Sequence, residues 1–407
     1  MRYTIVKQTI KTQPTMKTQI TTIFLLFFLS VHSQTNQEKI QNEIDNYENE
    51  ISSNDVYNTK TLNLLFNKNL ESYLTSVEVP SLKSLSAVLD NDDNSFAFGY
   101  SFDPRNGEAS DYLQFLTYVG LKMKGKKNED FYTVFESDKA KNNIGIEFKA
   151  TWFPFGSIWT NKNSTLRQDI ALNRKTKIKR KAIEEFENKT DLSSKSISDF
   201  ITEEEVKYIL KEDKYNSFSK AWITLRAYYP ITNNEYSLVD NTTDFNKSIS
   251  EFENWDISFS LNYFRNFNNN NSYTFSIIPK IYNNNNILTE TITSKTFTTS
   301  QSTSINQPVQ TSTENLYLGQ FEEFTTTQLK AELTTFFLID GKVGLSAAIE
   351  KNYGSKYDPT NWKLAIPISL KNAKGESDIN FEIQWREINN NHFLGISIGK
   401  SFGKFVN

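Results

Sequence analysis

From residue 361 to residue 402 the chain alternates with period two. Trp362, Leu364, Ile366, Ile368 and Leu370 are interleaved with Lys363, Ala365, Pro367 and Ser369. Ile379, Phe381, Ile383 and Trp385 then alternate with Asn380, Glu382, Gln384 and Arg386, and Leu394, Ile396 and Ile398 with Gly395, Ser397 and Gly399. Successive side chains of an extended chain point to opposite faces, so each run makes one greasy face and one polar or small one. The same arithmetic holds at Ser95 to Phe102, where Phe96, Phe98, Tyr100 and Phe102 face away from Ala97, Gly99 and Ser101. It holds again at Ile144 to Trp152, Ser219 to Tyr229 and Trp255 to Tyr263. The first of these three is predicted to stop at Pro154, because proline has no ladder donor.

Less regular candidates lie at 112–122, around Tyr273 to Ile277, within the Thr/Ser/Gln-rich stretch 289–313, and at Leu316 to Phe324, Gln328 to Leu338 and Lys342 to Ile349. Asp340-Gly341 and Lys374-Gly375-Glu376 read as hairpin turns. Closure of a bacterial barrel favours an even count, so the expectation is an antiparallel transmembrane β-barrel of about 12 strands spanning 91–407.

Two stretches break the alternation. Residues 34–90 carry Ile40, Ile44, Tyr47 and Ile51, then Leu62, Leu65, Phe66 and Leu70, at helical spacing, and read as an N-terminal helical or irregular segment. Residues 161–216 read as a helical insertion: Arg180 with Glu184 and Lys181 with Glu185 stand four apart, and Thr202 before Glu205 suggests a capping box. Its basic run Arg174 to Lys181 keeps it out of hydrocarbon.

Compartment follows from the start of the chain. Met16-Lys17, the apolar stretch Ile20 to Val31 and His32-Ser33-Gln34 form a secretory signal, 1–33, with cleavage after Ser33. The apolar stretch is shorter than the roughly 20 residues of a spanning helix. A mean hydropathy of −0.55 excludes a multispan helical protein but not a barrel, whose lumen and loops are polar. Aromatic residues at strand ends (Phe153, Phe155 and Trp159; Tyr228 and Tyr229; Trp255 and Tyr263; Trp362; Trp385) suit a hydrocarbon–water interface. The alternative is that they fill the core of a soluble sheet.

The signal end Ser33-Gln34, the successive amphipathic strands and the terminal run His392 to Phe402 resemble the broad class of Bacteroidetes outer-membrane β-barrel proteins. The resemblance implies location in the cell outer membrane and insertion by the barrel-assembly machinery, with Phe402 or Phe405 as the terminal aromatic that this machinery reads. It implies no substrate.

With Arg2, Lys7, Lys11 and Lys17 removed from 45 basic groups, 48 acidic ones leave the exported chain at about −7, which argues against nucleic acid as a partner. No cysteine is present, and His392 is the one histidine beyond the signal, so thiolate catalysis and a multi-histidine zinc site are excluded. Gly395-Ile396-Ser397-Ile398-Gly399 has the letters Gly-x-Ser-x-Gly but falls inside an alternating strand run rather than at a strand-to-helix elbow, so Ser-His hydrolysis has no placed serine. Neither Asp92-Asp93 nor Glu322-Glu323 has the separation of a glycosidase pair. Asp90, Asp92 and Asn94 fall short of a calcium loop. No cofactor, metal site or enzymatic activity is expected.

The informative residues are the charges on the non-lipid face: Lys220, Arg226, Asp256, Lys363, Glu382 and Arg386. They either line a passage for small solutes or pair with one another, as Glu382 and Arg386 on one strand face suggest. The leading expectation is a passive channel or envelope structural protein whose partner is the lipid bilayer. The alternatives are a secreted or periplasmic soluble β-protein binding a lipid or glycan, and an outer-membrane hydrolase.

Overall fold

The computed structural model describes residues 37–51, 56–75, 81–90, 95–104, 114–124, 135–136, 139–140, 143–159, 164–187, 196–212, 214–240, 247–301, 310–372 and 376–406. The signal segment and the Asp92-Asp93 cluster lie outside them. In chain order the helices are α1 (37–49), α2 (Thr59–Leu70), α3 (Ser164–Asn173), α4 (Lys179–Glu187) and α5 (Ile197–Lys211). The strands are β1 (Lys83–Asp90), β2 (Ser95–Phe102), β3 (Phe115–Lys124), β4 (Phe135–Glu136), β5 (Lys139–Ala140), β6 (Asn143–Trp159), β7 (Ser217–Pro230), β8 (Asn234–Val239) and β9 (Lys247–Phe252). They continue as β10 (Asp256–Phe267), β11 (Ser272–Asn285), β12 (Ser294–Gln301), β13 (Gln310–Leu318), β14 (Glu323–Leu338), β15 (Val343–Tyr353), β16 (Thr360–Lys371), β17 (Ser377–Ile388) and β18 (Asn391–Phe405). Two compact units result, one of residues 1–61 and 162–208, the other of 62–161 and 209–407.

Twelve strands of the second unit close a barrel in the order β1-β18-β17-β16-β15-β14-β11-β10-β7-β6-β3-β2. Every neighbouring pair is antiparallel, and β1 closes the ring on β18 through Lys83↔Phe405 to Leu89↔Ile398. No edge is left unpaired in the barrel. Large apolar side chains face out along every run: Phe98 (47 % exposed), Leu121, Ile146, Leu225, Leu261, Leu333, Leu364 and Ile396. Their neighbours in sequence, such as Glu147, Thr224, Ser260, Glu332, Lys363 and Ser397, are buried on the inside. An antiparallel transmembrane β-barrel has this inversion of inside and outside.

The strand count matches expectation, but the membership differs. Lys83–Asp90, read as helical or irregular, is β1, so the barrel begins at Lys83 rather than at residue 91. Its Leu85, Ala87 and Leu89 alternate with small or apolar residues, which leaves little contrast to read. The stretches 289–313 and Leu316 to Phe324 give β12 and β13, which lie outside the barrel in a four-stranded sheet of order β12-β13-β8-β9. β6 does not stop at Pro154. It runs to Trp159, and the register shift between Trp152 and Phe155 is a bulge that absorbs the missing donor.

β1 begins and β18 ends at one mouth of the barrel, called here the near mouth, where the hairpin turns at Asn268–Asn271 and Ile339–Lys342 also lie. The Ile339-Asp340-Gly341 turn has positive φ at all three residues, which Gly341 alone adopts without strain. The chain between β6 and β7 also leaves and returns at the near mouth. At the far mouth, the segments joining β7 to β10 and β11 to β14 fold together as the four-stranded sheet over Tyr236, Leu238, Phe252 and Ile287. Burial pushes the Tyr236 phenol up to about 12, partly offset by its hydrogen bond with Asn285. A folded-state value above the unfolded one of about 10 stabilises the sheet fully below that pH. That contribution should therefore be lost as pH rises through about 12, and the part of the phenolate absorbance that Tyr236→Phe removes should appear together with release of the sheet. That Tyr236 part developing near the ordinary value of about 10 with the sheet intact would contradict the burial.

In the other unit, α1 and the insertion make one core: Ile40, Ile44 and Tyr47 pack with Ile178, Ala182, Phe186, Phe200 and Ile201. The sequence offered these as two separate segments. Beside this core, Glu205 accepts hydrogen bonds from Tyr47 Oη at 2.7 Å, Thr61 Oγ1 at 2.7 Å and Arg174 Nε at 3.1 Å. Arg174 opens a π-helical turn, Arg174–Ile178, and its guanidinium lies over the Tyr47 ring at 5.1 Å. Burial, then the Glu205 charge, holds the Tyr47 phenol well above its ordinary value. Two details correct the sequence reading. α5 starts at Ile197 with Ser196 Oγ accepting from Asp199 N at 3.0 Å, and Thr202, inside the helix, donates back to Ser198 O. Lys181 reaches Glu204 at 2.8 Å, whereas Arg180 pairs with Glu184 at 3.8 Å as expected.

Candidate functional site

The candidate site is the barrel interior. Of the six charges singled out from the sequence, Lys220, Arg226, Asp256, Lys363 and Glu382 are buried on the inner wall, and Arg386 is half-buried toward the far mouth. They fall into separate groups. On the wall formed by β3, β6, β7 and β10, Glu147 meets Lys122 at 3.4 Å, Arg226 Nε at 3.0 Å and Lys149 at 3.4 Å. Arg226 also reaches Asp256 at 3.4 Å, and Lys124 pairs with the other Asp256 oxygen. On the wall formed by β14, β16 and β17, Lys363 Nζ bridges Glu332 at 2.7 Å and Glu382 at 2.8 Å, with Lys330 on the second Glu332 oxygen at 3.0 Å. Paired in this way, charges that would be costly to bury alone are retained.

Glu382 therefore takes Lys363 of the neighbouring strand, a cross-strand partner that the same-face reading with Arg386 did not contain. Lys122, Lys124, Glu147 and Glu332 were missed as site residues. The signal was present, since each alternates with Leu121, Met123, Ile146 or Leu333. The carriers of the charge were legible by parity, and the partners only by register.

Near the near mouth, the inner wall changes character. Phe153, Phe218, Trp222, Phe264 and Phe336 all face inward and are at most 1 % exposed. Lys220 Nζ sits among them, 4.6 Å from the Phe153 ring centre and 5.1 Å from that of Phe66. Phe153 and Tyr228, which strand-end position assigned to the membrane interface, are inside: Tyr228 Oη donates to Asn143 O at 3.3 Å, under Lys124. The side chains of Phe155 and Trp159 lie outside the described residues.

The end of α2 and a 3-10 turn, Glu71–Tyr73, occupy this aromatic zone. Phe66 packs edge-on against Phe218 at 5.1 Å. The Tyr73 ring stands edge-on to Phe264 at 5.7 Å and Phe336 at 4.8 Å, and its hydroxyl bonds Ser272 Oγ at 2.7 Å. Glu71 accepts from Leu82 N at 2.7 Å and from Ser401 Oγ, while its carbonyl accepts from Asn380 Nδ2 at 2.8 Å. Burial raises the Glu71 carboxyl, and Ser401, Lys83 and the backbone N–H groups of Leu82 and Lys83 pull it back. Sequence periodicity identified the helix around Phe66 but not its seat.

Outside, two aromatic girdles bound the apolar band. At the far mouth Trp362 and Trp385 meet edge-on at 5.1 Å beside His392, and Trp362 Nε1 donates to Glu387 at 3.0 Å. Toward the near mouth Tyr100 stacks on Phe102, Phe115 on Trp152, and Tyr273 meets Tyr263. From His392 to Phe402, β18 rises roughly 33 Å at about 3.3 Å per residue. A tilt of about 40° turns that into roughly 25 Å, the height of a barrel's apolar band. Among the described residues no group of three or more His, Asp or Glu side chains is placed to hold a metal ion.

No family model matches the chain, and no curated protein matches it. Solved structures with some likeness are outer-membrane barrels. The β domain of the Bordetella autotransporter BrkA aligns with a TM-score of 0.30 and 8 % identity over 76 % of this chain and 89 % of that one. OmpT, an outer membrane protein of Vibrio cholerae, folded in vitro, aligns at 0.22 and 7 % identity over 77 % and 93 %. Its loop L8 deletion mutant aligns at 0.24 and 7 % over 77 % and 94 %. At these scores the likeness adds nothing to what the barrel's own geometry establishes.

Proposed function

We propose that this chain, exported by its signal segment, is an outer-membrane β-barrel that is closed at rest and serves as an envelope scaffold, carrying the Tyr236 sheet at its far mouth. The membrane reading is supported by large apolar side chains that face outward on each of the twelve barrel strands, between aromatic residues toward the two mouths. The observation that carries the closed reading is the burial of the inner wall at every level. Glu382, Ser397 and Ser276 are 0 % exposed, Glu147 and Lys220 1 %, and Lys363 5 %. Side chains lining a wide aqueous channel would be wetted. A non-enzymatic role agrees with an interior whose acids are held by cations rather than poised for proton transfer.

Planar-bilayer recording tests the reading. The purified full chain should insert and stay silent, and Lys363→Glu should create no ion selectivity, because there is no current to select. Stable stepwise openings of the wild-type chain, altered by Lys363→Glu, would establish a passive channel instead. Recovery of folded protein in buffer without detergent would defeat the membrane reading itself.

A further inference from the structure

The polar networks above run along the walls, joining strands close together in the ring, such as β6 with β7 and β16 with β17. The segment Phe66–Thr75 does something different. It touches β7 through Phe218, β10 through Phe264, β11 through Ser272, β14 through Phe336 and β17 through Asn380. It also reaches β18, where Ser401 bonds Glu71 and Gly399 leaves room for Leu74 and Thr75. A Cβ at Gly399 would lie 3.0 Å from Thr75 Cγ2 and 3.2 Å from Leu74 Cδ2. Half of the ring is thus tied across the lumen by one short piece of chain.

The wall beneath it is built to be covered. Five large rings face inward at this level, in a barrel whose inner face is otherwise mostly Ser, Thr, Asn and charge. Left bare to water they would be an exposed apolar patch inside a polar lumen. Phe66 and Tyr73 supply the matching rings. The contacts are edge-on aromatic pairs and side-chain hydrogen bonds, with no strand of the barrel contributed by the segment itself, so the ladder is complete without it.

We propose that Phe66–Thr75 is an autoinhibitory plug, seated on the aromatic collar of the near mouth, and that unseating it opens a polar path for small hydrophilic solutes through the barrel. This rests on the closed-barrel reading and adds that the closure is a releasable contact. Leu82, just before β1, donates its N–H to Glu71 and so ties the plug to the start of the barrel. Withdrawal trades the Glu71 and Tyr73 hydrogen bonds for water and bares the rings of the collar, a cost that keeps the plug seated at rest, but it breaks no barrel strand pair.

The test compares two full-length variants with the wild type in planar bilayers, each first checked for heat-modifiable migration. Phe66→Ala/Tyr73→Ala removes the plug's rings. Gly399→Leu leaves the plug intact and pushes Leu74 and Thr75 off the wall. Both should show stepwise openings that the wild type lacks, and blockade by added small sugars should slow them. Folded variants that stay as silent as the wild type would overturn the plug while leaving the closed barrel standing. Failure of both to insert would overturn it too, by making the segment a part that the barrel cannot be built without. Openings in the wild type would instead remove the closed-barrel reading on which it rests.

Discussion

Glu147→Gln should destabilise the folded barrel by about 3–5 kcal/mol, the cost of breaking a buried ion pair from one side. The magnitude follows from where the charges are left. Glu147 is 1 % exposed and holds Lys122, Lys149 and Arg226 within 3.4 Å, and Asp256 must already serve Arg226 and Lys124. Gln keeps the shape and removes the charge, so the cations lose compensation without gaining solvent. Glu314→Gln is the control. Its Lys247 partner is about half exposed, and a surface pair of this kind is worth at most about 1 kcal/mol. Urea unfolding in detergent or lipid, followed by heat-modifiable mobility, reads both. Equal, small effects would mean that the Glu147 cluster is wetted and that the lumen is open at that level.

Phe98→Arg should cost about 2–4 kcal/mol, as a cation does near the middle of a barrel's lipid face. Phe98 lies in β2 between Ala87 of β1 and Leu121 of β3, and that row continues outward-facing into Ile146 of β6. With Leu121 56 % and Ile146 47 % exposed, the row is an apolar surface that water cannot be allowed to meet over the whole circumference. Ile249→Arg makes the contrast. Ile249 is 63 % exposed, more than Phe98, but stands on β9 of the far-mouth sheet, where arginine should change stability by less than about 0.5 kcal/mol. Both sites are well exposed, so in water arginine should be tolerated at each. Only a hydrocarbon solvent around β2 makes the change at Phe98 costly, and a Phe98→Arg variant that behaves like Ile249→Arg would show that none is present.

The barrel strands were legible wherever side-chain contrast was large. β16, β17 and β18 place Trp, Leu, Ile or Phe against Lys, Glu, Ser or Gly, and a period of two survives any tertiary context. β1 was not legible, because Ser84, Ser86 and Ala87 are small and Val88 is apolar on the inside. The predicted total agreed with the structure because that omission was offset by assigning Leu316 to Phe324 to the barrel. β12 and the first part of β13 are extended but almost wholly Ser, Thr, Gln, Asn and charge, so period two has little to report there. The apolar end Leu316-Tyr317-Leu318 reads as a strand, but its place in a sheet outside the barrel was not legible.

Pairing across the sequence was lost for a different reason. Ile40 and Ile44 show that α1 has an apolar face, but nothing local names Ile178 and Phe200 as what it covers. The aromatic collar lay in between. Phe264 breaks the polar face of Ser258, Ser260 and Asn262, and Phe218 and Trp222 break that of Thr224 and Arg226, so the need for a cover could be read. That Phe66 and Tyr73 meet the need is a fact of the fold alone.

A barrel with lipid outside and no water inside can be tested on both counts at once by a spin-label accessibility scan of β18. The chain has no cysteine, so single-cysteine variants from His392 to Ser401 can each be labelled cleanly in the full-length protein in lipid. Oxygen, which partitions into hydrocarbon, should relax labels at 394, 396 and 398, and labels at 395, 397 and 399 should be shielded from oxygen and from a water-soluble nickel chelate alike. Strong relaxation by the nickel chelate at 395, 397 and 399 would contradict the closed interior, and loss of the two-residue alternation would contradict the barrel in its membrane.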